Sequence, residues 1–186
     1  MGAATGTFDY EAARANFKLD IPDDFNFAFD VLAKQAAEAD KTALIAVAND
    51  GESAEEHSYG DLERASNQFA HVLKDIGAEK GDFAFVMITR IPAFYHALFG
   101  CMKMGVVAMP GTNLLPAHDI EYRVNRSGAK IVIVTAEHAE KVEAVRDQCP
   151  TLEHLIIIGE ERGGWTCKET ACAAAPDTFD RSLVAP

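Results

Sequence analysis

Short apolar runs alternate with amphipathic stretches from residue 83 onward. Runs of this kind, with few polar positions, are typical of strands that helices cover on both faces. They occupy residues 83–88, 106–109, 131–134 and 155–158. Strands that alternate with helices predict an α/β fold with a doubly wound, mainly parallel sheet and helices on both faces.

A helix and a β-hairpin are predicted ahead of this sheet. Asn26 is a residue type that caps helices, and apolar residues follow it at helical spacing. Residues 42–48 and 55–59 have the pattern of two strands, and Asn49-Asp50-Gly51 between them provides the backbone freedom of a turn.

The long helix after the hairpin carries clear signals at both ends. Ser58 and Asp61 have the spacing of a capping box, and Gly77 can take the left-handed conformation that ends a helix. Further helices are predicted over residues 92–104, 117–127 and 135–149.

The periodicity divides the chain into three parts. Residues 1–24 lack sustained periodicity and are predicted to be an N-terminal arm that lies on another surface. Residues 25–159 form the predicted α/β subdomain. Beyond Gly159 the pattern decays, so residues 160–186 are predicted to be a tail with one short helical piece near residues 168–174.

Charge and targeting signals exclude several classes of partner. The formal net charge is -12, and no cluster of Lys or Arg is present to displace phosphate counterions, which excludes a nucleic-acid partner. The N-terminus lacks a secretory signal, and the apolar runs are too short to cross a bilayer. We therefore expect a cytoplasmic protein without a membrane span.

Common catalytic and metal-binding motifs are absent. The sequence contains no Gly-x-Gly-x-x-Gly fingerprint, no Walker loop and no Gly-x-Ser-x-Gly elbow, and its six histidines are dispersed. His118, Asp119 and Glu121 lie in an early helix turn, where acidic side chains favour the helix dipole. We therefore predict no catalytic residue and no metal site.

The four cysteines form no Cys-x-x-Cys pair. Cys101 and Cys149 occupy apolar helix positions that are typical of buried free thiols. A disulfide between Cys167 and Cys172 is a minor alternative.

One loop has features of a binding site. Gly111, Thr112, Asn113 and Leu114 follow an apolar strand at its carboxyl end, where ligands bind in parallel sheets. The glycine permits close backbone approach, and the next two residues supply polar groups. The residues alone favour another interpretation, a strand-to-helix connection between Pro110 and Pro116 whose leucines pack on the core.

Several motifs, taken in order, make the chain resemble the AMP-forming acyl-CoA synthetases and their adenylating relatives. They are Tyr59-Gly60-Asp61-Leu62, Ser66-Asn67-Gln68-Phe69-Ala70, Gly77-Ala78-Glu79-Lys80-Gly81-Asp82, Arg90-Ile91-Pro92 and Cys101-Met102-Lys103-Met104-Gly105-Val106-Val107. Met109-Pro110-Gly111-Thr112 and Asp119-Ile120-Glu121-Tyr122-Arg123 are similar to the medium-chain branch. The resemblance runs from about residue 25 to about residue 168.

The resemblance implies a two-step reaction that uses ATP, Mg²⁺ and CoA. A carboxylic acid attacks the α-phosphate of ATP to give an acyl-adenylate and pyrophosphate, and the CoA thiol then displaces AMP. In this family the loop that matches Gly111, Thr112, Asn113 and Leu114 contacts CoA, although Leu114 stands where a glutamine is expected.

The resemblance also implies that much of the catalytic apparatus is missing. The family holds phosphates with a Ser/Thr/Gly-rich loop that ends in Pro-Lys, and no Pro-Lys pair occurs in residues 1–186. We therefore expect an N-terminal fragment that is inactive alone and binds no cofactor tightly. The surface that the missing part would cover predicts self-association into a homo-oligomer. A disordered tail beyond Gly159 is the other expected outcome.

Two other interpretations stay open. One is a stand-alone interaction or regulatory module that kept the fold and lost the chemistry. The other is an unrelated small-molecule binder with a Rossmann-like sheet.

Overall fold

The computed structural model describes residues 8–38 and 41–184 of the protein. The strands are β1 Thr42–Val47, β2 Ala54–Ser58, β3 Phe83–Met87, β4 Val107–Pro110, β5 Ile131–Thr135, β6 His154–Ile158 and β7 Thr166–Cys167. The helices are α1 Tyr10–Asn16, α2 Ala33–Gln35, α3 Tyr59–Asp75, α4 Ala93–Met104, α5 Ala117–Ser127, α6 Ala139–Glu143 and α7 Lys168–Ala174. A π-helical turn, Ala28–Leu32, leads into α2, and 3₁₀ turns cover Ala136–His138, Arg146–Gln148 and Arg181–Leu183.

Five strands form one parallel sheet in the order β4-β3-β5-β6-β7. Successive side chains of β3 point to opposite faces, as the period of a strand requires. Ala84 and Val86 pack in a cluster with residues of α3, α4 and α7, whereas Phe85 and Met87 pack with residues of α5 and α6. Helices therefore cover both faces, and the predicted fold class is confirmed.

The hairpin and the capping box form as the sequence predicted. Strands β1 and β2 pair antiparallel as a separate two-stranded sheet. Ser58 Oγ accepts a hydrogen bond from the Asp61 amide at 3.1 Å, and Asp61 Oδ2 accepts one from the Ser58 amide at 2.9 Å. Each side chain thus satisfies a free amide at the start of α3.

The predicted helix over residues 135–149 is present only in part. The structure has α6 in its centre with a 3₁₀ turn on each side. Val142, Val145 and Cys149 are nevertheless buried, as their spacing indicated. The apolar spacing indicates which side chains are buried. It does not distinguish a continuous helix from a short helix flanked by tight turns, because both can bury residues at this spacing.

Residues 160–184 fold onto the rest of the chain instead of extending as a tail. Strand β7 pairs with β6, and Phe179 is buried in the same cluster as α3 and α4. Asn67 Nδ2 donates to the Asp177 carbonyl at 2.8 Å. The sequence pattern missed β7 because two residues show no periodicity. The division at residue 159 stays a prediction.

The described part of the N-terminal arm, residues 8–24, is exposed throughout. It contains α1, which the sequence did not predict and which Asp9 caps by accepting from the Ala12 amide at 3.0 Å. The rest of the predicted arm, residues 1–7, lies outside the described residues. In the described ranges, no helix is long and apolar enough to cross a membrane.

Candidate functional site

A cavity of about 840 Å³ lies at the carboxyl ends of the parallel strands, beneath the β1–β2 hairpin. Three connections contribute to its wall: residues 89–92 after β3, Asn113 after β4 and Glu137 after β5. A second cavity of about 440 Å³ shares residues 89–92 with the first and is lined mainly by apolar side chains. Open parallel sheets bind ligands at this end, so the cavity is the natural candidate site.

The charges around the larger cavity are mixed. Arg90 is exposed there and forms no ion pair with any described residue, while Glu55 and Glu137 also line the wall. A tight phosphate site places several oriented donors around one anion. One cation beside two carboxylates does not provide such a site.

The candidate loop, which we call the β4 loop, comprises residues 111–116. At its start, the Gly111 amide donates to the Val86 carbonyl at 2.7 Å and so extends the β3–β4 pairing. At its end, Leu115 is buried, whereas Leu114 is 88% exposed. The structure therefore brings Gly111, Thr112, Asn113 and Leu114 into one surface turn.

Gly111 packs closely against side chains inside the protein. A Cβ at this position would lie 2.7 Å from Cζ of Phe85, so the Phe85 ring would have to shift, and 3.1 Å from Cδ1 of Leu115, which is tighter than an ordinary contact. The backbone conformation of Gly111 is one that any residue adopts. The packing interpretation therefore holds for Gly111 and Leu115. It does not hold for Thr112 and Leu114, which are exposed to solvent.

Lys141 contacts this loop from another element. It lies in α6, and its Nζ donates to the Asn113 carbonyl at 3.0 Å. Sequence reasoning missed Lys141 because nothing local shows that a helix after β5 reaches the connection after β4. The contact follows from the strand order, in which only β3 separates those two strands.

Among the described residues, four of the seven buried side-chain polar atoms without a hydrogen-bond partner lie near the same sheet edge. They are Asn113 Oδ1, Thr135 Oγ1 and both ring nitrogens of His138, although Nε2 of His138 lies 3.3 Å from Oε1 of Glu137. Burial lowers the pKa of His138, which favours the neutral ring. Because buried polar groups are usually paired, such a concentration is typical of a site that meets a ligand or ordered water. The sequence pattern did not mark Thr135 or His138 as site residues.

The cysteines provide no reactive thiol at this edge. All four cysteines are free and buried, so the disulfide alternative for Cys167 and Cys172 is wrong. Burial raises the pKa of Cys101 to about 12 and that of Cys172 to about 11, so neither forms a thiolate near neutral pH. Among residues 8–38 and 41–184, no three His, Cys, Asp or Glu side chains are grouped to hold a metal ion.

Comparison with known proteins identifies the family. The model of the AMP-binding enzyme family matches residues 32–181. Human acyl-coenzyme A synthetase ACSM3, mitochondrial, is 33% identical over 165 residues, which cover 84% of this chain and 28% of the human protein. Rat acyl-coenzyme A synthetase ACSM4, mitochondrial, is 34% identical over 165 residues, with the same two coverages.

Solved structures share the fold. An acyl-CoA synthetase of Brucella canis superposes with a TM-score of 0.77 at 22% identity, covering 94% of this chain and 32% of that one. The anthranilate CoA ligase AuaEII, solved with anthranoyl-AMP, gives a TM-score of 0.75 at 24% identity, covering 87% and 30%. The chain thus spans about 28% of the length of the curated relatives. It belongs to the AMP-binding enzyme family and corresponds to the N-terminal region of that family's acyl-CoA ligases.

Proposed function

We propose that the chain serves as the N-terminal region of an ATP-dependent, AMP-forming acyl-CoA synthetase. The complete enzyme would convert a carboxylic acid to an acyl-adenylate and then to an acyl-CoA, using ATP, Mg²⁺ and CoA. The observation that carries this proposal is the family match over residues 32–181. A cytoplasmic location stays a prediction, because the curated relatives are mitochondrial proteins.

The chain alone is proposed to be inactive in adenylation. Transfer of an adenylyl group requires oriented amides, a lysine and Mg²⁺ around the phosphate oxygens. The printed sequence contains no Ser/Thr/Gly-rich loop that ends in Pro-Lys. At the candidate cavity, Arg90 is accompanied by Glu55 and Glu137, which weaken its attraction for a polyphosphate.

The role that we propose for the chain is a contact between its β4 loop and CoA. Within the described part of the chain, the amides of Thr112 and Asn113 have no hydrogen-bond acceptor. Backbone amides do not depend on the side chain, so this contact tolerates Leu114 in place of a glutamine. Such a partial site predicts weak binding, with a Kd on the order of 1 mM.

Titration of the ¹⁵N-labelled chain with CoA tests the contact. We expect amide shifts that centre on residues 111–114, and L114Q should lower the Kd roughly threefold by adding one hydrogen bond. L19Q is the matched control, since Leu19 is also a highly exposed leucine, at 72%, on the distant arm. No shift at residues 111–114, or an equal gain in L19Q, would refute the contact.

A second candidate is the stand-alone interaction or regulatory module. One observation favours it: the arm exposes several large apolar side chains, among them Phe8, Phe17 and Leu19. Sedimentation velocity at rising concentration tests this candidate. Because the fragment interpretation also predicts self-association, only association that F17S weakens would support this candidate. A monomer at all concentrations, or association that F17S leaves unchanged, would count against it.

A further inference from the structure

The middle of the β4 loop is tied to another element at one point. The Gly111 amide is paired with Val86 at the start, and Leu115 is buried at the end. Between these two ends, a single hydrogen bond connects the loop to another element among the described residues: Lys141 donates to the Asn113 carbonyl. The conformation at the tip of the loop therefore depends on this contact.

The geometry of a peptide bond extends the effect of Lys141 to the next amide. The carbonyl of Asn113 and the N–H of Leu114 belong to one planar trans unit and point in opposite directions. With the carbonyl held toward Lys141, the Leu114 amide is turned to the other side, where Thr112 Oγ1 accepts it at 3.4 Å. This long and therefore weak hydrogen bond links the orientation of Thr112 to that of Leu114.

We infer that Lys141 is a positioning residue of the β4 loop: it orients the Asn113–Leu114 peptide and, through the Leu114 amide and Thr112 Oγ1, the segment whose Thr112 and Asn113 amides we propose to contact CoA. This inference rests on the proposed CoA contact of the same loop. Lys141 is half-buried, and a charged donor makes a stronger hydrogen bond to a carbonyl than a neutral one. Preorganised donors bind better because less conformational freedom is lost on association.

The test compares four forms of the 186-residue chain: the wild type, K141M, K141R and K74M. K141M removes the donor and K141R keeps a charged donor of similar length. K74M is the matched control, because Lys74 is exposed at the end of α3 and forms no ion pair with described residues. Amide hydrogen exchange at residues 111–115 and CoA titration are measured on each folded variant.

We expect K141M to raise the exchange rates of the Leu114 and Leu115 amides by about fivefold. The Kd for CoA should also rise by about fivefold, because each change corresponds to the loss of one hydrogen bond. K141R should stay within about twofold of the wild type in both, as should K74M. Unchanged exchange in K141M would overturn the positioning role. Raised exchange with unchanged CoA affinity would reduce Lys141 to a structural contact.

If the proposed contact between the β4 loop and CoA is wrong, the same measurements give a different result. If the wild type shows no CoA shifts at residues 111–114, the CoA contact is refuted, and the exchange data then decide whether Lys141 orders the loop. If K141M does not fold, the comparison of K141R with K141Q replaces it, because glutamine keeps a neutral donor on a shorter side chain.

Discussion

The Lys103 ammonium lies 2.9 Å from Oε1 of Glu63, and the Lys103 side chain is fully buried. The pair joins α4 to α3, and Lys103 also donates to the side-chain oxygen of Asn67. Burial lowers the pKa of Lys103, and the hydrogen bond to Glu63 opposes that effect. Asn67 in turn binds the Asp177 carbonyl, so the pair links both helices to the end of the chain.

Removal of either partner of this ion pair should have unequal effects. E63Q leaves a buried ammonium without its counter-charge and should lower the free energy of unfolding by about 3 kcal/mol. K103M replaces the ammonium with apolar atoms, and the Glu63 side chain, at 20% exposure, can turn toward water, so the loss should be near 1 kcal/mol. Urea unfolding of both variants checks the order, and a larger loss in K103M would contradict it.

Residues 160–184 should contribute strongly to stability. Phe179 is 8% exposed and packs edge-on against His71 with ring centroids 4.8 Å apart. F179A should therefore cost about 3 kcal/mol in urea unfolding. F17A is the control, because Phe17 is 73% exposed and its loss should cost less than about 0.5 kcal/mol. Equal small effects would mean that this segment is a dispensable tail in solution.

Features with local signals were predictable from the sequence. The apolar runs predicted strands β3 to β6 of the parallel sheet, and the three-residue spacing of Ser58 and Asp61 predicted the start of α3. Each of these depends on residues that are close along the chain, so a periodic pattern or a capping motif reports it directly.

The missed features depend on distant parts of the chain. Strand β7 has only two residues and forms because β6 offers a free edge. Lys141 reaches Asn113 only because the sheet order places the connections after β4 and β5 near each other. Gly111 suggested a ligand approach, yet its neighbour in space is Phe85. At the candidate site, residue types were visible in the sequence and their partners were not.

His96 should make stability depend on pH in a defined window. Burial, with smaller effects of Lys168 and His57, lowers the pKa of His96 to about 4, and its Nδ1 has no hydrogen-bond partner. Because the unfolded chain binds this proton near pH 6.5, stability is complete above that pH and is lost as the pH falls toward 4.

Comparison with H96L separates the effect of His96 on the pH dependence of stability from the effect of the carboxylates. Between pH 7 and pH 4.5, the wild type should lose about 2 kcal/mol more than H96L in urea unfolding. H118Q is the control, since His118 is exposed, and it should follow the wild type. Identical losses in the wild type and H96L would show that His96 accepts its proton without strain in the folded protein.

We propose that this chain carries the fold of the synthetase N-terminal region without the phosphate-binding groups that adenylation requires. The decisive measurement is acid-dependent release of pyrophosphate from ATP by the purified 186-residue chain, with Mg²⁺ and a panel of carboxylic acids. We expect no release above the rate without protein. Acid-dependent turnover by the chain alone, or a tight complex with ATP, would show that these residues themselves hold and activate the phosphates.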